Sequence, residues 1–164
     1  MALRNILTEG NPTLNKVCRP VTSFDAHLAT LIDDMKETLT HANGVGLAAP
    51  QVGVLRRIVV VDIEEEIVEL VNPRIEEQSG EQDGLEGCLS VPGRFGMVLR
   101  PNYVKLSAQD RHGDWHSYEG EELIARCFCH ELEHLDGHLY TERSYHMLTE
   151  EEYASLMEQQ EESD

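Results

Sequence analysis

The run Cys129-His130-Glu131-Leu132-Glu133-His134-Leu135-Asp136-Gly137 holds two histidines four positions apart, with a glutamate beside the first. On a helix, residues four apart lie one above the other on the same face. His130 and His134 can therefore hold one divalent metal ion through neutral imidazole nitrogens. At about 100° per residue, Glu131 projects beside that face, within reach of a water on the metal. Glu133 and Asp136 point to the far side, which leaves Glu131 as the carboxylate placed to move a proton. A surface helix that merely contains two histidines is the plainer explanation. Leu123, Ile124, Cys127, Phe128, Leu132 and Leu135 speak against it, because they make the helix largely buried. Two imidazoles and an intervening carboxylate in such a helix point to metal chemistry.

Two imidazoles do not complete a site. In one class of His-Glu-x-x-His protein the third ligand is a histidine three residues after the glycine, a position that here is Tyr140. His138 lies about 12 Å along the helix from His130, and Cys127 about 10 Å from His134, too far for metal bonds of about 2.1 Å. Cys127 is instead expected to wall the adjoining cavity, Cys129 to be a packed thiol on the far side, and Cys18 to be structural. Cys88, in Glu86-Gly87-Cys88-Leu89-Ser90-Val91-Pro92-Gly93, is the leading third ligand. Gly87 allows close backbone approach, and a thiolate binds a borderline metal strongly. The main competitor is a glutamate of the last helix, Glu150, Glu151 or Glu152, which would suit an endoprotease.

The elements that must position these groups are legible in the periodicity. Leu28, Leu31, Ile32, Met35 and Leu39 recur at helical spacing after Ser23 or Asp25, and Asn43-Gly44 supplies a C-cap. Residues 44–53 form a Gly/Ala-rich loop with one polar side chain, Gln51. Strands are predicted over 57–62 and 67–71, joined across Glu64-Glu65-Glu66, the second ending at Asn72-Pro73. Residues 76–84 read as an exposed acidic loop, and 98–108 as an extended segment with a break or sheet edge at Pro101. The metal-site helix is expected to begin near Glu121-Glu122, acids suited to a first turn. Thr149-Glu150-Glu151-Glu152 is a capping box that opens a last helix. Its acidic tail, 158–164, is expected to fray. Strands between an early helix and later helices give an α+β class, with mostly antiparallel strands around a central helix carrying His-Glu-x-x-His. No repeat or linker divides 1–164, which reads as one domain.

Composition narrows the classes. The chain of 164 residues is 40% hydrophobic and 27% charged, suited to a soluble globular domain. No run approaches the roughly 18 apolar residues of a membrane helix, and the first ten residues lack the apolar core of a signal peptide. A cytoplasmic monomer is the expectation, with the four cysteines as thiols or thiolate ligands rather than disulfides. The net charge of −18, from 31 acidic and 13 basic residues, argues against direct binding of nucleic acid or anionic membranes.

Three stretches together resemble the peptide deformylase family. Gly44-Val45-Gly46-Leu47-Ala48-Ala49-Pro50-Gln51 matches its first signature, Glu86-Gly87-Cys88-Leu89-Ser90 its second, and His130 to Gly137 its third. The resemblance implies Cys88, His130 and His134 as ligands of a divalent ion, usually ferrous iron, with zinc, nickel or cobalt able to occupy the same set. It implies removal of the formyl group from formyl-methionyl nascent polypeptides by a metal-bound water. Glu131 would be general base and then acid, with the Gln51 amide and the Leu89 backbone N–H stabilising the oxyanion. Gly44 and Gly46 would let a peptide backbone lie close, and Val45, Leu123 and Cys127 would wall the methionine pocket. Glu86 and Arg94 flank the second signature as candidates for orienting ligands or substrate, or as plain ion-pair members. Some members dock on the ribosome through a basic terminal helix. The acidic segment from Glu150 onward argues against that route here. A closed metal site with four protein ligands is the non-enzymatic alternative, and it would leave Glu131 and Gln51 without a task.

Overall fold

The structure, a computed structural model, describes residues 2–163. Asp25 caps the first helix, α1 (Ala26–Ala42), by accepting the Leu28 N–H at 3.0 Å, and Asn43 ends it in the left-handed conformation. Then come β1 (Gly46–Ala48), β2 (Ile58–Ile63), β3 (Glu66–Ser79), β4 (Gln82–Cys88), β5 (Val91–Arg100), β6 (Tyr103–Gln109) and β7 (Trp115–Glu121). The chain closes with α2 (Leu123–Leu135), the short α3 (Tyr140–Arg143), β8 (His146–Met147) and α4 (Glu150–Ser163). Five strands form an antiparallel sheet in the order β1-β2-β3-β6-β7, and three form a second in the order β4-β5-β8. The class is α+β.

Strand β2 shows how the core is divided. Ile58, Val59, Val60 and Val61 are all fully buried. Successive side chains of a strand face opposite ways, so Ile58 and Val60 join the α1 stripe of Leu28, Ile32, Met35 and Leu39. Val59 and Val61 meet Ala125, Phe128, Leu132 and Leu135 of α2 on the other face. Helix α2 thus lies on the large sheet and also touches β5 of the small one. Its C-terminal end is closed by the N-terminal segment, where Cys18 N–H donates to Leu135 O at 2.8 Å. Gly137 turns the chain there at φ 84, and a Cβ would stand 2.8 Å from the Asn15 carbonyl. That close approach and the positive φ require glycine.

Several boundaries differ from expectation. Asn72-Pro73 does not end the strand; β3 runs on to Ser79, and the register with β6 shifts between Val71 and Arg74. Asn72 adopts φ 50, and its side chain bonds the Val21 backbone at 2.8 and 2.9 Å and Gln109 at 2.7 Å. The irregularity is a bulge held from outside the strand. The acidic 76–84 region is therefore strand on both sides of a tight turn at Gly80-Glu81 rather than a loop. Pro101 separates two strands, β5 and β6, and residues 44–53 contain β1 and a turn of 3-10 helix, Ala49–Val52. Glu121 belongs to β7, and α2 starts at Leu123 with Glu122 at φ 55, so no acid sits in its first turn. The Thr149 capping box forms, with reciprocal bonds to Glu152 of 3.1 Å. Helix α4 continues through Ser163, since nothing after Glu150 breaks a helix; Asp164 lies outside the described residues.

Candidate metal centre and cleft

The turn between β4 and β5 brings Cys88 over α2. Its Sγ, with one ring nitrogen each of His130 and His134, forms a cluster whose atoms all lie within 4.8 Å of one another. Cys88 Sγ is 3.4 Å from His134 Nε2. Donors bonded tetrahedrally at about 2.1–2.3 Å stand about 3.5 Å apart, so this donor set fits one borderline divalent ion. His130 spends Nδ1 on Glu86 Oε1 at 2.8 Å, which leaves Nε2 for the ion. The competing glutamates of α4 are not part of the cluster, and Glu152 pairs with His146 at 2.7 Å.

Glu131 stands over the cluster. Its Oε1 lies 3.7 Å from His130 Nε2 and 3.9 Å from His134 Nε2, and its Oε2 is buried without a hydrogen-bond partner among the described residues. Burial raises its carboxyl to about 7, against an opposing pull from His130. Burial also opposes charge on His130, but Cys88, Glu86 and Glu131 outweigh it and lift the imidazole to about 10. His134 is driven well below its ordinary value by burial, with His130 and Arg100 adding to the effect.

Glu86 is the centre of a buried charge network. Besides His130, it accepts two bonds from Arg100 at 2.8 and 2.9 Å and one from Arg126 Nη1 at 2.6 Å. Burial alone would raise its carboxyl, yet Arg100 and His130 hold it down at about 2. Arg100 also reaches Glu133, which pairs with Arg143 at 2.8 Å on the far side of α2. Tyr140 stacks on the His130 ring, with centroids 5.7 Å apart at 23°, and donates to Arg94 O at 3.1 Å. Arg126, Arg100 and Tyr140 were not candidates from sequence. Arg126 had a signal, one helical turn before His130, but nothing linear ties Arg100 or Tyr140 to the site.

A cleft of about 450 Å³ opens beside the cluster. Gly44, Val45 and Gly46 line one wall, Gly87, Cys88, Leu89 and Phe95 the other, with Leu123 at the rim and Cys127, His130 and Glu131 below. The glycines serve neighbouring side chains as much as open space. A Cβ on Gly46 would lie 2.8 Å from both Cys127 Sγ and Glu131 Cγ, and one on Gly44 2.9 Å from Leu39 and Leu89. Gln51 is 1% exposed and lies behind the lining. Its Oε1 accepts Ala48 N–H at 2.9 Å, capping its own turn, while Nε2 points at Cys88 Sγ, 3.6 Å away. Glu86 lies in the lining with its carboxylate spent on the ion-pair network. Arg94 is outside the lining and pairs with Glu9 at 2.8 Å.

Known proteins are similar to this chain in sequence and fold. The family model for polypeptide deformylase matches residues 3–150. A peptide deformylase of Agathobacter rectalis is 60% identical over 143 residues, covering 87% of this chain and 90% of that one. One of Acetivibrio thermocellus is 50% identical over 152 residues, covering 93% and 89%. Among solved structures, a peptide deformylase from Legionella pneumophila superposes with a TM-score of 0.84 at 41% identity, over 93% of this chain and 90% of that one. The Thermotoga maritima enzyme gives 0.84 at 40% identity, over 87% and 97%. With a Cys/His/His donor set under a buried carboxyl, and this sequence and fold, the chain belongs to the polypeptide deformylase family.

Proposed function

We propose that this protein hydrolyses the formamide of N-terminal formyl-methionine on newly made polypeptides, yielding formate and a free amine. The observation that carries the reading is the Glu131 carboxyl, 2% exposed, held over the Cys88, His130 and His134 donors at the foot of the cleft. Those three residues would hold one divalent ion, ferrous iron first, with zinc, nickel or cobalt as alternatives the donors accept. When bound, the ion lowers the pKa of a water and polarises the formyl oxygen. Glu131 takes the proton from the attacking water and gives it to the amine nitrogen as the C–N bond breaks. Burial pushes its carboxyl above the ordinary carboxylate range, the direction that suits a group that both takes and returns a proton. The Gln51 Nε2–H and the Leu89 backbone N–H would face the oxygen that gains charge, each such donor being worth about 10²–10³ in rate. Val45, Leu123 and Cys127, beside Gly44 and Gly46, would receive the methionine side chain. Glu86 acts through His130, fixing its ring and tautomer.

Residues 1–164 are read as one catalytic domain, acting as a monomer in the cytoplasm, where nascent chains are met. Among the described residues, no helix is long and apolar enough to cross a membrane. The acidic α4 argues against docking on ribosomal RNA. The test is formate release from formyl-Met peptides by protein purified without oxygen, with metal analysis of the same sample. Absence of metal-dependent release, or full activity in Glu131→Ala, sinks the reading.

A further inference from the structure

We propose that Ser90 is a positioning residue for this reaction, acting through the Gln51 side-chain amide; the inference rests on the deformylase reading. Gln51 and Ser90 lie behind opposite walls of the cleft, in the 3-10 turn after β1 and the turn between β4 and β5. Ser90 is fully buried, and its Oγ accepts from Gln51 Nε2 at 3.0 Å. The opposite end of the same amide is held by Ala48 N–H on Oε1 at 2.9 Å. A planar amide fixed at Oε1 and at one N–H has no rotation left. Its second N–H then points along the line to Cys88 Sγ, 3.6 Å from Nε2, where the reacting carbonyl would lie.

The backbones of the same two residues are tied by the N-terminal segment. Leu7 N–H donates to Gln51 O, and two residues on Glu9 N–H donates to Ser90 O, both at 2.7 Å. The distance between the walls is thereby set at the residues that aim the amide. Ser90 supplies what Gln51 alone lacks. A primary amide carries two donors, and a second acceptor decides which of them is free.

The test compares Ser90→Ala in the wild-type and Gln51→Ala backgrounds, using a formyl-Met peptide and ferrous-loaded protein. The expected result is a roughly 10-fold fall in kcat with KM and metal content unchanged, and less than about a 2-fold further fall once Gln51 is gone. An equal fall in both backgrounds, or an unchanged kcat, overturns the proposal. A second readout needs no turnover. In metal-free protein the Gln51 side-chain amide protons should exchange slowly with solvent, and that exchange should become faster in Ser90→Ala. Rapid exchange in the unsubstituted protein overturns the clamp whether or not Ser90→Ala folds. Failure of the deformylase reading itself would appear separately, as no formate from the unsubstituted enzyme.

Discussion

Glu131 is 2% exposed at the foot of the cleft, next to three donors suited to a cation, and that burial sets its chemistry. Its carboxyl lies at about 7, above the ordinary 4.5. Below about pH 4.5 folded and unfolded chains both hold the proton, and between 4.5 and 7 only the folded chain does. Stability of the metal-free protein therefore falls as pH rises through that window. Metal-free Glu131→Gln should gain stability relative to the unsubstituted protein as pH rises from about 5 to about 7, and hold that gain above it. Urea melts at both pH values check this, and a pH-independent difference would contradict it. Glu86 has the opposite sign. Its carboxyl, held at about 2, stabilises the fold above the ordinary 4.5, and that stability is lost as pH falls through the window between them. Glu86→Gln leaves Arg100 and Arg126 buried beside a neutral group, which should cost about 3–5 kcal/mol. Metal affinity should fall about 10–100-fold in the same variant, because the His130 ring loses its orienting partner.

At the scale of elements, the site depends on β1 and α2 packing closer than side chains ordinarily allow. Gly46 of β1 faces Glu131 and Cys127 of α2, and a methyl group there would need the 2.8 Å now separating the Gly46 Cβ direction from both. Gly46→Ala should bind metal normally yet lose at least about 10-fold in kcat, since small misplacements of a catalytic group are costly. Metal analysis together with kinetics distinguishes this from loss of the ion. Cys88→Ala should do the reverse and lose the ion, whereas replacing Glu150, Glu151 and Glu152 together should leave metal content unchanged.

Across the whole molecule, the three core clusters contain no residue beyond Met147. Helix α4 reaches the body through the stack of Tyr153 on Phe95, at 4.4 Å between centroids, and the His146–Glu152 pair. Removing residues 150–164 should cost at least about 0.5–1.5 kcal/mol, the worth of the aromatic stack beyond the area it buries, as read from urea melts. Activity on a formyl-Met peptide should stay within about 3-fold of the full chain; a larger loss would mean that Phe95, on the cleft wall, needs its neighbour.

The sequence by itself determined the chemistry of the centre. Cys88 led as third ligand because two imidazoles left the site incomplete, and the role of Gln51 came from the resemblance to the deformylase family. His130 and His134 share a face, with Glu131 beside it, because helical pitch is local. The α1 stripe and its Asp25 and Asn43 caps, and the Thr149 box, were legible for the same reason: each interaction spans four residues or fewer. Only the tertiary structure decided what lies across the sheets. It made Asn72 a bulge instead of an end, by bonding it to Val21 and Gln109. It gathered Arg100, Arg126 and Tyr140 around Glu86 and His130. It also joined Gln51 to Ser90, 39 positions along the chain. Such contacts follow from which faces are buried against one another, and no local pattern of residue types encodes that.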